Sequence, residues 1–219
     1  MNSKFNSTSH SAEERFLGSR FHRQRFFATL ALGVWAATLV VLPISAAQGE
    51  FANTKELGRA VAQYRDKDDV LQVVVAYNYS QRQHNSRWIL IQMAVSSNRS
   101  LKIRREGIYM YTPDVRVIEL ATQRRFREDS QRVTALIQNS APQRHPVEAY
   151  FVGRDGIQNI RFFAQPFGGT VQNELVTSID RVMVGDLFFE NPRGLWESGV
   201  YALTVESDRV KAELPITLN

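Results

Sequence analysis

The chain has 219 residues, of which 43% are hydrophobic and none is cysteine, and its net charge at pH 7 is +5. The length suits one or two domains of ordinary globular composition. The lack of cysteine excludes disulfides, thiolate catalysis and zinc sites built on cysteine. Three of the five net positive charges precede residue 26, so the rest of the chain is nearly neutral and we expect no nucleic-acid partner.

The N-terminal segment has the order of a secretory signal. A basic stretch ending in SRFHRQR is followed by the apolar run FFATLALGVWAATLVVLPI and then by small residues up to Ala47. We predict a signal peptide over residues 1–47, cleaved after Ala47. The alternative is an uncleaved anchor over residues 26–44, because about 20 apolar residues span a bilayer. Both interpretations place the rest of the chain in the periplasm or outside the cell, held at the inner membrane if the anchor remains.

Residues 48–69 are predicted to form a helical lead-in to the main domain. Apolar residues between Leu57 and Tyr64 recur with the spacing i, i+3, i+4 and i+7 of one helix face. Asn53, three residues before Glu56, resembles a capping box at the start of that helix.

Residues 70–219 are predicted to form one domain made mainly of antiparallel strands. Runs rich in β-branched and aromatic residues at 70–79 and 88–95 indicate a first strand pair. Pro113 suits a turn between two further strands. The period then changes, and residues 123–138 carry the apolar stripe of a helix.

The last third of the chain is predicted to continue as strands. VEAYFV and IQNIRFFA flank the segment Gly153–Gly156, which indicates a hairpin, and residues 175–190 supply one or two strands more. The final residues, GVYALTVESDRVKAELPITLN, alternate with period 2 and predict a C-terminal hairpin. Its last strand carries Pro215, which indicates an edge strand and hence a candidate binding edge. The residues predicted to face the core are Tyr201, Leu203, Val205, Val210, Ala212, Leu214 and Ile216.

The segment from Trp196 to Val205 resembles the penultimate strand of immunoglobulin-like and fibronectin-like domains, in which a G-x-Y-x-L pattern carries a corner tyrosine. The resemblance implies an antiparallel β-sandwich of about eight strands with one or two added helices. It also implies structural roles for Trp196, Gly199 and Tyr201, with the Tyr201 hydroxyl bonded to nearby backbone. The central cysteines of antibody domains are absent, which excludes that branch.

No residue pattern predicts a catalytic centre, a metal site or a cofactor. Only His84 and His145 follow the leader, and neither has the spacing of paired metal ligands. Ser198 has no G-x-S-x-G context and meets a histidine only if the fold brings the two together. The alternative to a non-catalytic protein is an exported hydrolase whose residues come from distant segments, such as His145 with Asp155 or Glu148.

Basic residues cluster around one predicted strand. Arg99, Lys102, Arg104 and Arg105 define what we call the basic face, a candidate site for an acidic envelope component. A second group of arginines decorates the predicted helix. The alternative is that neighbouring carboxylates neutralise both groups. We therefore expect an exported, non-catalytic binding or structural module of the cell envelope, with a protein partner or an acidic component of the envelope.

Overall fold

The computed structural model describes residues 51–165 and 168–219. The predicted signal peptide or anchor, residues 1–47, lies outside the described residues. Within them the chain is mainly β, with eleven strands: β1 (Thr54–Gly58), β2 (Val61–Arg65), β3 (Leu71–Ala76), β4 (Trp88–Ser97), β5 (Lys102–Tyr111), β6 (Val117–Glu119), β7 (Gly156–Asn159), β8 (Glu174–Val176), β9 (Arg181–Glu190), β10 (Gly199–Ser207) and β11 (Lys211–Leu218).

Few helices accompany these strands. They are α1 (Asn78–Arg82), α2 (Gln123–Glu128), α3 (Ser130–Ser140) and two short 3-10 helices at Ala141–Gln143 and Val147–Tyr150. No helix among the described residues is long and apolar enough to cross a membrane.

The strands are arranged in two sheets. One has the order β1-β2-β3-β4-β9-β7, and all its pairs are antiparallel except β7 with β9. The other has the order β11-β10-β5-β6, and β8 pairs with the opposite end of β5. Both terminal strands of the first sheet and β11 of the second lie at sheet edges, where backbone groups on one side have no strand partner.

One hydrophobic core lies between the sheets, and the first sheet is buried on its outer face as well. All ten residues of β4 are buried. Ile89 and Ile91 belong to the core that also contains Leu203 of the second sheet. Trp88 and Leu90 face the other way, into a cluster with α2 and α3. Burial on both faces explains why β4 is a continuous apolar run.

The C-terminal hairpin is confirmed. Strands β10 and β11 pair from Gly199↔Leu218 to Glu206↔Lys211. Six of the seven residues predicted to face the core are buried, whereas Val210 in the connecting turn is only half-buried. The regular alternation of the sequence is sufficient for this result, because a strand exposes alternate side chains to opposite faces.

Trp196, Gly199 and Tyr201 make close contacts at the start of this hairpin. The Tyr201 hydroxyl donates a hydrogen bond to the backbone oxygen of Glu197 at 2.9 Å, and its ring lies 5.4 Å from that of Trp196. The Trp196 indole donates to the backbone oxygen of Arg87 at 3.1 Å. At Gly199 a Cβ atom would come within 2.8 Å of Pro113, so the two turns pack too closely for a side chain there.

Strand β11 is an edge strand, as Pro215 indicated, but its outer side is largely covered. The Thr54 hydroxyl donates to the backbone oxygen of Glu213 at 3.0 Å, and the backbone N–H of Asn219 donates to that of Gln81. Odd-numbered residues of β11 therefore direct their backbone groups away from β10, so Pro215 costs no ladder hydrogen bond. Contacts from β1 and α1 leave little of this edge for a partner.

The predicted helical lead-in is wrong: residues 54–65 form the hairpin β1–β2. Ala60, the second residue of the turn, adopts the left-handed conformation with φ 57°. A Gly or Asn at this position would have indicated the turn in the sequence, but Ala does not. Val61 and Leu57 pack under the Val147–Tyr150 helix, whereas Tyr64 faces the core between the sheets. Because both faces of β2 are covered, its apolar residues fall at helical spacing without forming a helix.

The predicted hairpin around Gly153–Gly156 is also wrong. Residues before the turn form the 3-10 helix Val147–Tyr150, and β7 after it pairs in parallel with β9, in register Ile157↔Val182. The helix at 123–138 is confirmed but divided, because α2 ends at Glu128 and α3 begins at Ser130. Phe126 and Val133 face the sheet as the apolar stripe predicted.

Candidate functional site

The structure divides the predicted basic face. Arg99, Lys102 and Arg104 are exposed, but Arg105 is 8% exposed and has to be removed from this surface. Lys102 and Arg104 both contact Glu174, at 3.9 and 3.4 Å. The alternation of β5 explains the division, because Ile103 and Arg105 project to the buried face of the strand and Lys102 and Arg104 project to the exposed face. What remains is a small surface with much of its charge neutralised.

The arginines of the helical segment are mostly neutralised by neighbours as well. Arg124 and Arg125 contact Glu128 at 2.8 and 2.6 Å, and Arg132 contacts Asp129 at 3.1 Å. These ion pairs span three or four residues along one helix, a spacing that brings side chains together. The surface of α2 and α3 therefore offers an acidic ligand little uncompensated charge.

The buried side chain of Arg105 instead holds the loop that follows β7 in place. Its guanidinium donates to the backbone oxygens of Phe162 at 2.8 Å and Ala121 at 2.7 Å, and lies 4.5 Å from the Phe163 ring centre. Burial lowers the pKa of this guanidinium, and the charge of Glu106 partly offsets the effect. The group stays charged, because an arginine pKa starts far above neutrality.

The segment after β7 is held on its other side by Gln123. The side-chain amide donates to the backbone oxygen of Ala164 at 2.7 Å and accepts from the Ala164 N–H at 3.0 Å. Together with Arg105 this fixes the segment from Phe162 to Ala164 against the start of α2. Side chains, rather than a strand ladder, thus define the position of this part of the chain.

A groove of about 280 Å³ lies between this fixed segment, α3 and the outer face of β9. Its wall contains Phe126, Phe163 and Phe188, whose ring centres are each 5.0 Å from the other two. Ile137 of α3 and Val184 of β9 add further apolar surface. The volume is close to the lower end of the range for ligand pockets.

Polar groups line the mouth of the groove. Arg144 and Asp186 form a two-contact ion pair there, with N–O distances of 2.9 and 2.7 Å. The amides of Asn159 and Gln165 complete the rim. An apolar floor with a polar rim suits an apolar group carried by a polar chain.

Strand β7 forms one side of this groove and is the last strand of its sheet. The N–H of Ile160 donates to the oxygen of Val184 at 2.7 Å, so residues 156, 158 and 160 direct their backbone groups toward β9. Ile157 and Asn159 therefore direct theirs outward, and no backbone partner for them lies among residues 51–165 and 168–219. The Ile157 side chain is also 63% exposed.

The histidines do not form the arrangement considered for a hydrolase. The Nε2 atom of His145 lies 2.8 Å from the Tyr150 hydroxyl, and among the described residues no hydrogen bond joins its ring to Asp155 or Glu148. The described residues also contain no group of three potential metal ligands. The example pairs named for the alternative function, His145 with Asp155 or Glu148, are thus not joined by a hydrogen bond in the described residues.

The fold does bring Ser198 to His84. The serine Oγ lies 3.3 Å from Nε2, and Nδ1 lies 3.2 Å from the backbone oxygen of Gln81. An Nδ1–H donated to that oxygen leaves Nε2 as an acceptor for the serine hydroxyl. A carboxylate, which orients the histidine in the usual triad, is not bonded to His84 among the described residues.

A second groove of about 240 Å³ lies on the opposite side of α3, and Ala135, Arg132 and Trp88 contribute to its lining. No sheet edge adjoins it in the described part of the chain. The groove beside β7 therefore combines more features of a binding site: the larger volume, aromatic surface and backbone groups without a partner among the described residues. The sequence carries no local signal of its aromatic wall, because Phe126, Phe163 and Phe188 come from three separate segments.

No protein-family model, no curated protein and no solved structure matches this chain.

Proposed function

We propose that this protein is an exported, non-catalytic binding module of the cell envelope, and that its partner is a protein. The domain is of the sandwich type, with immunoglobulin-like features at Tyr201. The observation that carries the binding proposal is the outward-directed backbone of Ile157 and Asn159 at the edge of β7, beside the aromatic groove. An extended segment of a partner pairs with such an edge through main-chain hydrogen bonds.

The edge of β7 is favoured over the two sites indicated by the sequence. The outer side of β11 is occupied by contacts from Thr54 and from α1. In the basic face, Arg105 is buried, and Glu174 contacts both Lys102 and Arg104. An acidic envelope component bound by Arg99 and its neighbours is the weaker version of the proposal.

Two substitutions at one position test the edge. Ile157→Pro removes a backbone N–H that makes no hydrogen bond to β9, so the pairing of β7 with β9 is kept. The proline ring lies on the outer side of β7 and blocks the addition of another strand. Ile157→Ala removes the exposed side chain but keeps the N–H. Both variants are checked for unchanged thermal unfolding.

A photo-crosslinking residue at Asn159 of the full chain, expressed in its native host, then reports binding. We expect a crosslinked partner in the wild-type and Ile157→Ala backgrounds and its loss with Ile157→Pro. The same crosslinker at Val152, which is 95% exposed but outside β7, is the control for random contact. Equal crosslinking at both positions, or no effect of the proline, would contradict the proposal.

Export is proposed from the leader, and the N-terminus of the mature protein tests it. Mass spectrometry of protein from the native host should find a chain that begins at Gln48, if the signal peptide is cleaved. An intact chain in the membrane fraction would support the anchor. A chain beginning at Met1 in the soluble cytoplasmic fraction would contradict both versions.

A second candidate function, hydrolysis at Ser198, is favoured only by the contact between its hydroxyl and His84. A base at that distance takes the serine proton as the oxygen attacks an acyl group. Labelling by a fluorophosphonate probe that is lost in both Ser198→Ala and His84→Ala would support this function. Absence of labelling in the wild-type protein would contradict it.

A further inference from the structure

We propose that the groove beside β7 accepts one aromatic side chain of the partner segment, and that this segment is acidic around the aromatic residue. The proposal rests on the proposed function, since it assumes that an extended chain pairs with β7. It adds which side chains of the partner segment the site selects.

The size and lining of the groove support an aromatic occupant. Alternate residues of an added strand project to the same face, so one of them lies over the groove when the chain pairs with Ile157 and Asn159. The cavity of about 280 Å³ exceeds the volume of one aromatic side chain, and the half-buried ring of Phe163 lies on its wall, packed against the buried rings of Phe126 and Phe188. An incoming ring adds an aromatic contact with Phe163 and apolar contacts with Ile137 and Val184.

The floor of the groove has a defined shape. A Cβ atom at Gly185 would lie 2.6 Å from the Cβ of Ile160, so glycine allows this residue to sit directly on β9. The Phe163 side of the groove is fixed by the hydrogen bonds of Arg105 and Gln123 described above. A site whose walls are already held loses little freedom on binding, which favours selectivity for one side chain.

Charges at the two ends of β7 indicate the rest of the segment. Arg161 follows the C-terminal end of the strand, and Arg181 lies opposite Gly156 at its start. Both side chains are exposed, and neither has a carboxylate within 4.0 Å in residues 51–165 and 168–219. This contrasts with Arg104, Arg124 and Arg144, which are all paired. Beside an edge whose outer side is unpaired within the described residues, two cations without an ion-pair partner there complement carboxylates on the incoming chain.

Synthetic peptides test the proposal with the full-length protein. The probes are short Thr- and Glu-rich extended peptides with one central variable residue, and fluorescence anisotropy gives their Kd. We expect the peptide with central Phe to bind about 10- to 100-fold more tightly than the peptide with central Ala, as burial of one large apolar side chain predicts. Replacing Glu by Lys in the probe should weaken binding about tenfold.

Matched variants show which part of the site produces the preference for Phe and which part produces the preference for Glu. Ile137→Trp fills the groove from α3 and should remove the preference for Phe, whereas Ala135→Trp adds the same side chain on the opposite side of the helix and should keep it. The pair Arg161→Glu and Arg181→Glu should reverse the preference for acidic over basic probes. Unfolding curves show whether each variant is folded.

The outcomes separate this inference from the function on which it rests. Peptides that bind, lose affinity with Ile157→Pro, and yet show no preference for Phe or for Glu would overturn the inference and leave the edge proposal standing. Peptides that bind equally well to wild type and Ile157→Pro would overturn the edge proposal. If Ile137→Trp fails to fold, Gln165→Trp fills the same groove from its rim and answers the same question.

Discussion

The guanidinium of Arg105 lies 4.5 Å from the ring centre of Phe163, in the interior of the protein and close to two backbone oxygens. This buried arginine has no carboxylate partner within the described part of the chain and is held by carbonyl dipoles and by an aromatic face. It therefore stabilises a loop rather than binding a ligand.

Replacing this arginine should be costly. Arg105→Met leaves the oxygens of Phe162 and Ala121 without a donor, and we expect the free energy of unfolding to fall by about 3 kcal/mol. Urea denaturation measures the change. The neighbouring exposed residue supplies the control, since Arg104→Met should change stability by less than about 0.5 kcal/mol. Equal effects of the two substitutions would contradict the structural role.

Tyr201 is predicted to contribute mainly through its ring. Tyr201→Phe removes only the hydrogen bond to Glu197 and should cost about 1 kcal/mol. Tyr201→Ala also empties a site that is 3% exposed, and should cost about 3–5 kcal/mol. Chemical denaturation of both variants distinguishes the two contributions. A nearly neutral Tyr201→Ala would show that the corner is not part of the packed core.

Gly107 is required by space at the β-bulge. An added Cβ would lie 2.6 Å from the backbone oxygen of Glu206, which cannot move without disturbing the β5–β10 pair. Gly107→Ala should destabilise the protein by about 1–3 kcal/mol. The matched control is Gly58→Ala, where no atom lies within 4 Å, and its effect should be near zero or slightly stabilising. Thermal unfolding of both variants measures the two changes in stability, and equal changes would contradict the role of Gly107.

Asp114 should make stability depend on pH in acid. Hydrogen bonds from Arg116 and then from Thr112 lower the pKa of this carboxyl to about 2. Because its pKa is near 4 in the unfolded chain, the contribution is complete above about pH 4 and is lost as the pH falls toward 2. We expect the stability difference between wild type and Asp114→Asn to shrink over this interval. Unfolding free energies at pH 5 and pH 2 measure it, and a constant difference would refute the assignment.

The segments predicted well are those in which one face is buried and one is exposed. Strand β11 alternates without interruption, β10 departs from alternation only at the buried Thr204, and the α2–α3 segment carries its apolar residues on one side. In these segments apolar residues recur along the sequence with the same period at which side chains return to one face of the strand or helix. The hairpin at 54–65 fails this condition, because Val61 and Tyr64 are buried on opposite faces.

The candidate site was hardly predictable from the chain. Nothing in the sequence around Ile157 shows that β7 pairs in parallel with β9, or that its other side has no strand partner in residues 51–165 and 168–219. Phe126, Phe163 and Phe188 are far apart in sequence and form one wall only after the helices pack on the first sheet. The contact of Ser198 with His84 spans 114 residues and is equally invisible to a local pattern.

By itself, then, the sequence determined the mainly β character, the inward residues of the C-terminal hairpin and the lack of cysteine chemistry, because these depend on composition or on local alternation. Only the tertiary structure decided that Arg105 bonds to Phe162 and Ala121, that Thr54 and α1 cover the edge at β11, and that the outer side of β7 has no partner among the described residues. Each of these depends on which distant strand or loop lies alongside. Local preferences amount to a fraction of a kcal/mol per residue, whereas burial and pairing between distant segments amount to several.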